Sequence, residues 1–121
     1  MTGLRDARLA LEAALGSERV YQPGEAFTTP CIRIHPGNPW LGPSALAQGN
    51  RTQRWEVWAV AGKGDARANY EALETLVSTI TDALDVLPGW SGIVWDRPNP
   101  TDMGGTQYLA VRGTIETRKG V

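Results

Sequence analysis

The stretch TQRWEVWAVAGKGDARANYEALETLVSTITDAL, residues 52–84, changes from one hydrophobic period to another within a single run. Its first eleven residues alternate, which predicts a half-buried strand with one apolar face made of Trp55, Val57, Ala59 and Ala61. The later apolar residues recur every three or four positions, which predicts a long amphipathic helix with the stripe Tyr70, Leu73, Val77, Ile80, Leu84 and Leu87. Asp65 is the expected N-cap, and Pro88-Gly89 is expected to end the helix.

The flanking segments predict four more elements. Apolar residues from Leu4 to Leu15 follow Thr2 at helical spacing and predict a one-sided helix that ends at Gly16-Ser17. CIRIH (31–35) predicts a short strand, and GIVWD (92–96) and TQYLAVRGTIETR (106–118) predict a hairpin connected by RPNPTDMGG (97–105). The order α-β-β-α-β-β predicts one α+β domain over residues 1–121, with two helices on one face of a mainly antiparallel four-stranded sheet. The other face is expected to stay exposed or to meet a partner.

The segment HPGNPWLGPSALAQGN, residues 35–50, is rich in proline and glycine, which predicts a long irregular loop. The loop carries Trp40, Leu41 and Leu46, whose apolar surfaces are unfavourable in water. We interpret it as a docking arm that becomes ordered when the subunit meets another protein. The alternative is that the loop folds back and Trp40 covers the sheet.

Composition and single-copy residues argue against several classes of function. The formal net charge of −1 disfavours a globally electrostatic binder of nucleic acid or membrane, and no run is long and apolar enough to span a bilayer. Cys31 and His35 lie about 13 Å apart on a strand at roughly 3.3 Å per residue, too far for a catalytic dyad. They are also too few to hold a metal. The sequence therefore predicts no catalytic residue, metal or cofactor, and Cys31 is expected to be a buried apolar residue.

Charged residues of opposite sign are predicted on different elements. The outward strand faces are basic on balance, with Arg33, Arg54, Arg112 and Arg118 against Glu56 and Glu116. The polar face of the long helix is acidic, with Glu71, Glu74, Asp82 and Asp85. One interpretation is that the sheet of one copy contacts the helix of the next, with Trp58 as an aromatic anchor. The alternative is that each surface is simply solvated.

Four segments together resemble the tail terminator proteins of long-tailed (siphovirus-type) bacteriophages, especially those that infect actinobacteria. They are LRDARLALEAALG (4–16), PCIRIHPGNPWL (30–41), RWEVWAVAGKGDARANYEALETLVSTITDAL (54–84) and GGTQYLAVRGTIETR (104–118). The most specific parts are the PG-x-PW turn, the acidic residue that opens the long helix, and the GG-x-x-YLA-x-R entry to the last strand.

The resemblance implies a structural protein of the virion without enzymatic activity or cofactor. It implies assembly in the host cytoplasm into a homohexameric ring at the head-proximal end of the tail. The ring caps the tail tube, ends its polymerisation and offers the surface for head-tail joining. The implied partners are further copies of the chain, the tail tube protein and a head-side connector or stopper protein, while genomic DNA passes through the channel without sequence-specific binding.

Contacts with another subunit or with the tube are expected at ten residues: Trp40, Leu41, Leu46, Arg33, Arg54, Trp58, Arg112, Glu71, Glu74 and Asp82. Two alternatives remain open at this point. The chain could be another head-tail connector, such as a stopper or tail-completion protein. It could also be a small α+β ligand-binding domain or enzyme with a pocket around His35, Trp58 and Arg112.

Overall fold

The computed structural model describes residues 3–16, 20–22, 27–43, 51–64 and 67–119. Its helices are α1 (Leu4–Ala14) and α2 (Arg67–Asp85). Its strands are β1 (Val20–Tyr21), β2 (Cys31–Pro43), β3 (Arg51–Lys63), β4 (Val94–Trp95), β5 (Asn99–Met103) and β6 (Thr106–Lys119). The predicted caps Thr2 and Asp65 lie outside the described residues.

The strands form one mixed sheet in the order β1-β2-β3-β6-β4, and β5 also pairs with β6. The β1–β2 pair is parallel and all other pairs are antiparallel. The α+β class with two helices is therefore confirmed. The predicted four-stranded sheet and the order α-β-β-α-β-β are wrong, because the described residues form six strands in the order α-β-β-β-α-β-β-β.

Two of these strands have no clear signal in the sequence. β1 contains only two residues, too few to show a period, and it exists because Val20 and Tyr21 align with Ile32 and Arg33 of β2. β5 contains a proline, Pro100, which an edge strand tolerates because its outer side needs no hydrogen bonds.

The predicted connection of 97–105 is consequently too long. β4 and β5 both pair with β6 and are separated by residues 96–98, so that the chain from 94 to 119 is one interrupted hairpin. Its turn consists of Gly104 and Gly105, with φ of 65° and 87°. Two consecutive positive φ values are those of a type I′ turn, which glycine adopts without steric cost. Asp102 Oδ1 accepts a hydrogen bond of 2.9 Å from the Gly105 N–H and helps to fix the turn.

The predicted irregular loop of 35–50 is wrong for residues 35–43, which belong to β2. Pairing of β2 with β3 is interrupted between Pro36 and Leu41, so that the residues between them bulge out of the ladder. Beyond residue 33 no described strand pairs with the outer side of β2, and an open edge accommodates proline. Residues 44–50, including Leu46, lie outside the described part of the chain.

The main core lies between the sheet and the two helices. Its strand side includes Trp55, Val57, Ala59 and Ala61, as the alternation predicts. Its helix side consists of buried residues of α1, of the turn after α1, and of α2. They are Ala7, Leu11, Leu15, Leu73, Leu76, Ile80 and Leu84. Tyr70, predicted in the apolar stripe, is instead 42% exposed. Among the described helices, none has both the length and the apolar character needed to cross a membrane.

The opposite sheet face is not entirely bare. At one end, Cys31, Val60 and Ala110 form a small buried cluster that is covered mainly by aromatic side chains: Tyr21, Phe27, Trp58, Met103 and Tyr108. The expectation that Cys31 is a buried apolar residue is confirmed, since it is 1% exposed and belongs to this cluster.

Candidate functional site

The two lateral edges of the sheet differ in the side chains they carry. β1 and β2 form one edge of the sheet. α1 lies beside this edge, where its residues Arg5 and Arg8 line a cavity together with Trp40 of β2. β4 and β5 form the other edge of the sheet. α2 lies beside this edge, where its residue Tyr70 lines a groove together with Trp95 of β4. We call these the α1 edge and the α2 edge.

At the α1 edge, the β2 bulge is pressed tightly against the neighbouring strand. A Cβ atom on Gly37 would come within 2.5 Å of the Arg54 carbonyl oxygen, so only glycine fits at this point. Arg54 Nη1 also donates a hydrogen bond of 3.2 Å to the carbonyl oxygen of Asn38. The bulge is therefore held against Arg54 of β3 at two consecutive residues, and it carries Trp40 in a defined position.

Trp40 is partly packed and partly exposed. Its ring lies edge-on to that of Trp55, with centroids 5.5 Å apart and an interplanar angle of 88°, which is a favourable aromatic geometry. Trp55 is 2% exposed, whereas Trp40 is 40% exposed and its neighbour Leu41 is also exposed. Trp40 thus covers the end of the core from within β2, without the folded-back loop of the second sequence-based alternative, and presents its remaining surface to the outside.

A cavity of about 520 Å³ lies between α1 and the bulge. Its walls are mainly apolar, and two arginine side chains stand on α1 beside it; the lining residues are Leu4, Arg5, Arg8, Gln22, Pro36, Trp40 and Trp55. Trp55 Nε1 is buried and has no hydrogen-bond partner among the described residues. An unpaired buried donor is unfavourable by about 1–3 kcal/mol, so this N–H would gain from an acceptor.

On the outer sheet face, two of the predicted contact residues are already engaged within the chain. Arg54 Nε donates to Glu116 Oε2 at 2.8 Å, and Arg112 Nε donates to Asp96 Oδ2 at 2.8 Å. Arg112 Nη1 also lies 3.7 Å from Glu56 Oε2. In each of these pairs at least one of the two side chains is about one-third exposed or more, so each pair adds little stability. They nevertheless neutralise Arg54 and Arg112, two of the four arginines that the sequence predicts on this face.

Trp58 lies between charged and aromatic neighbours on the same face. Its Nε1 donates to Glu56 Oε1 at 3.0 Å, and the His35 ring meets it edge-on at 6.4 Å between centroids. The pKa of His35 is lowered, first because burial disfavours the charged imidazole and second because Arg33 is close; Glu56 opposes this change. Arg33 lies 4.8 Å from the centroid of the Phe27 ring, a cation–π distance.

The pocket proposed around His35, Trp58 and Arg112 is only partly assembled. Trp58 and Arg112 line a cavity of about 160 Å³ with residues of β5 and the segment before it, and His35 does not line it. Within the described ranges, no group of three or more His, Cys, Asp or Glu side chains could hold a metal ion.

At the α2 edge, the acidic helix residues differ in their contacts. Glu71 accepts a hydrogen bond of 3.1 Å from Arg67 Nε on an exposed surface. Glu74 and Asp82 are exposed, and neither forms an ion pair within the part of the chain that is described. A groove of about 220 Å³ lies between α2 and the edge strands, lined by Tyr70, Leu73, Glu74, Val77, Trp95, Asp96, Pro98 and Val111.

The structure thus separates the ten expected contact residues into groups. At the α1 edge lie Trp40 and Leu41. On α2 lie Glu71, Glu74 and, two turns further along, Asp82. The outer sheet face carries Arg33, Arg54, Trp58 and Arg112, and Leu46 is outside the described residues. Sequence reasoning missed the role of Asp96 as partner of Arg112. It also missed Arg5 and Arg8, although their spacing of three already places both on one side of α1.

Comparison with known proteins adds no relative. No protein-family model matches the chain. No curated protein is significantly similar to it.

Proposed function

We propose that the chain is a tail terminator subunit of a long-tailed bacteriophage, which assembles as a ring on the end of the tail tube. The observation that best supports self-association is the presence of large exposed apolar side chains at both lateral edges. Trp40 and Leu41 are exposed at the α1 edge, and Tyr70 and Val94 are exposed at the α2 edge. Such side chains leave water only on association, and a contact between unlike edges generates a ring when the rotation closes.

In this proposal the ring ends tube growth by covering the surface on which the next tube subunit would bind. Its other side then meets a head-side connector or stopper protein. The ion pairs of Arg54 and Arg112 leave the outer sheet face close to electrically balanced. A balanced surface suits a subunit of a DNA channel, because DNA must pass through without being held by base-specific or strong phosphate contacts.

The proposal is tested on purified full-length protein with and without headless tails. We expect native mass spectrometry or light scattering to give six times the 13.1 kDa subunit mass, alone or after addition of tails. Electron microscopy is expected to show added density at one end of tubes of uniform length. A protein that stays monomeric in both conditions and never associates with tube ends would contradict the proposal.

A second connector role, as stopper or tail-completion protein, is distinguished by where the protein is recovered. Co-purification with tails that lack heads supports the terminator. Recovery on DNA-filled heads without tails supports the stopper.

The cavity beside α1 favours one further candidate, a small-molecule binding domain. Its volume of about 520 Å³ lies within the range of about 300–1,000 Å³ that is common for ligand pockets. A fragment screen that follows the thermal midpoint tests this candidate. Saturable stabilisation of the wild type that Trp40→Ala abolishes would support ligand binding, whereas His35→Ala is expected to leave the result unchanged.

A further inference from the structure

The two edges of the subunit carry opposite charges that are only weakly satisfied within the chain. Arg5 on α1 is exposed and forms no ion pair among the described residues. Arg8 reaches only to 3.7 Å from Glu12. Glu74 on α2 is exposed and equally without an ion pair in the described ranges. Among the described residues, two arginines thus stand beside the cavity at the α1 edge, and a carboxylate without an ion pair stands beside the groove at the α2 edge.

The shapes of the two edges are also complementary. The cavity at the α1 edge measures about 520 Å³ and is mostly apolar, whereas Tyr70 at the α2 edge is 42% exposed. Tyr70 and Glu74 are four residues apart on α2 and therefore lie on the same side of the helix. Arg5 and Arg8 are three residues apart and likewise share a side of α1. One edge therefore carries an exposed aromatic side chain with an acid one turn away, and the other edge carries a cavity with two bases beside it.

We propose that Tyr70 of one copy inserts into the cavity between α1 and the β2 bulge of the next copy, with Glu74 facing Arg5 and Arg8. The inference rests on the proposed function, since it names the surfaces through which the ring forms. The occupant is a second copy of the chain, because the complementary charges and shapes lie on opposite edges of the same molecule. A contact between unlike edges is heterologous, so each subunit uses both edges, and the assembly closes as a ring when the rotation between neighbours returns to the first subunit.

Charge exchange tests this arrangement. Arg8→Glu places like charges at every contact between identical subunits, and so does Glu74→Arg. We expect each variant alone to raise the dissociation constant of the assembly at least about tenfold, because juxtaposed like charges are strongly unfavourable. An equimolar mixture of the two variants restores opposite charges at each contact when the subunits alternate. The mixture, and the double variant R8E/E74R, are therefore expected to assemble like the wild type.

Asp82→Arg is the matched control. It makes the same change of charge on the same helix about 12 Å from position 74, at 1.5 Å per residue, and is expected to leave assembly unchanged. Tyr70→Ser is expected to weaken assembly without altering the circular dichroism spectrum, since Tyr70 is exposed in the single subunit. Native mass spectrometry of the mixture also reports whether the two variants occur in equal numbers within each ring.

The outcomes separate this inference from the proposed function. Wild-type rings together with single variants that assemble normally would overturn the docking of Tyr70 while the terminator proposal stands. Single variants that fail to assemble and are not rescued by mixing would also overturn it. A wild type that stays monomeric with and without tail tubes would overturn both.

Discussion

Replacement of Trp40 by alanine separates the part of this side chain that stabilises the fold from the part left for a partner. Replacing a fully buried large aromatic residue by alanine costs about 3–5 kcal/mol. Trp40 is 40% exposed, so roughly three fifths of its surface is packed, and we expect Trp40→Ala to lower the free energy of unfolding by about 2–3 kcal/mol. A chain of this length has a stability of about 6–18 kcal/mol at roughly 0.05–0.15 kcal/mol per residue, so the variant is expected to remain folded.

Urea denaturation followed by circular dichroism measures this loss. With a slope of about 2 kcal/mol per molar urea, the midpoint is expected to fall by about 1–1.5 M. Val94→Ala is the control, since Val94 is even more exposed on an edge strand and is expected to change stability by about 0.5 kcal/mol or less. An unchanged midpoint would refute the contact between Trp40 and Trp55. Complete unfolding in buffer would show that Trp40 belongs to the core.

Three further changes probe the fold and the sheet surface. A Cβ at Gly113 would lie 2.6 Å from an isoleucine side chain and 2.9 Å from the Trp95 ring. Gly113→Ala is therefore expected to lower the free energy of unfolding, measured by urea denaturation, by about 1–3 kcal/mol. Gly92→Ala serves as control, because a Cβ there meets open space. Burial lowers the pKa of His35 from 6.5, so the folded state binds fewer protons than the unfolded state. The free energy of unfolding is therefore expected to fall as the pH drops below 6.5. His35→Gln should reduce this dependence of stability on pH. Parallel slopes for the two proteins would contradict the lowered pKa. Trp95 Nε1 donates a hydrogen bond of 2.9 Å to Thr81 Oγ1. A double-mutant cycle of Trp95→Phe and Thr81→Val is therefore expected to give a coupling free energy of about 1 kcal/mol. Additive losses of stability in the two variants would argue against this hydrogen bond.

Hydrophobic period predicted those elements that bury one regular face. The alternation through Trp55 and Val57 and the stripe through Leu73 and Ile80 correspond to residues of the main core. β1 escaped prediction because two residues have no period, and its partner Ile32 lies twelve positions away in the chain. The proline-rich parts of β2 and β5 read as loops because proline is unfavourable within a sheet, and they are strands because each lies on an edge.

The surface was less predictable than the core because it depends on side chains that are distant in sequence. Arg54 pairs with Glu116, 62 positions away, and only the register of β3 against β6 brings them together. Arg112 pairs with Asp96 across an interruption that no period reveals. Tyr70 lies in the first turn of α2 and is 42% exposed, which the apolar stripe alone does not indicate.

The interruption of the edge strand at residues 96–98 also affects how this protein behaves when it is concentrated. A long, regular edge offers free N–H and C=O groups to any passing strand and so promotes uncontrolled fibre growth. Here the edge is broken into two and five residues, with Asp96 and Arg97 at the break and Pro98 and Pro100 beside them. Strand-by-strand growth is thereby discouraged on the side where β4 and β5 lie. At this edge the protein is thus restricted to contacts made by side chains, which favour a fixed number of copies over an open-ended fibril.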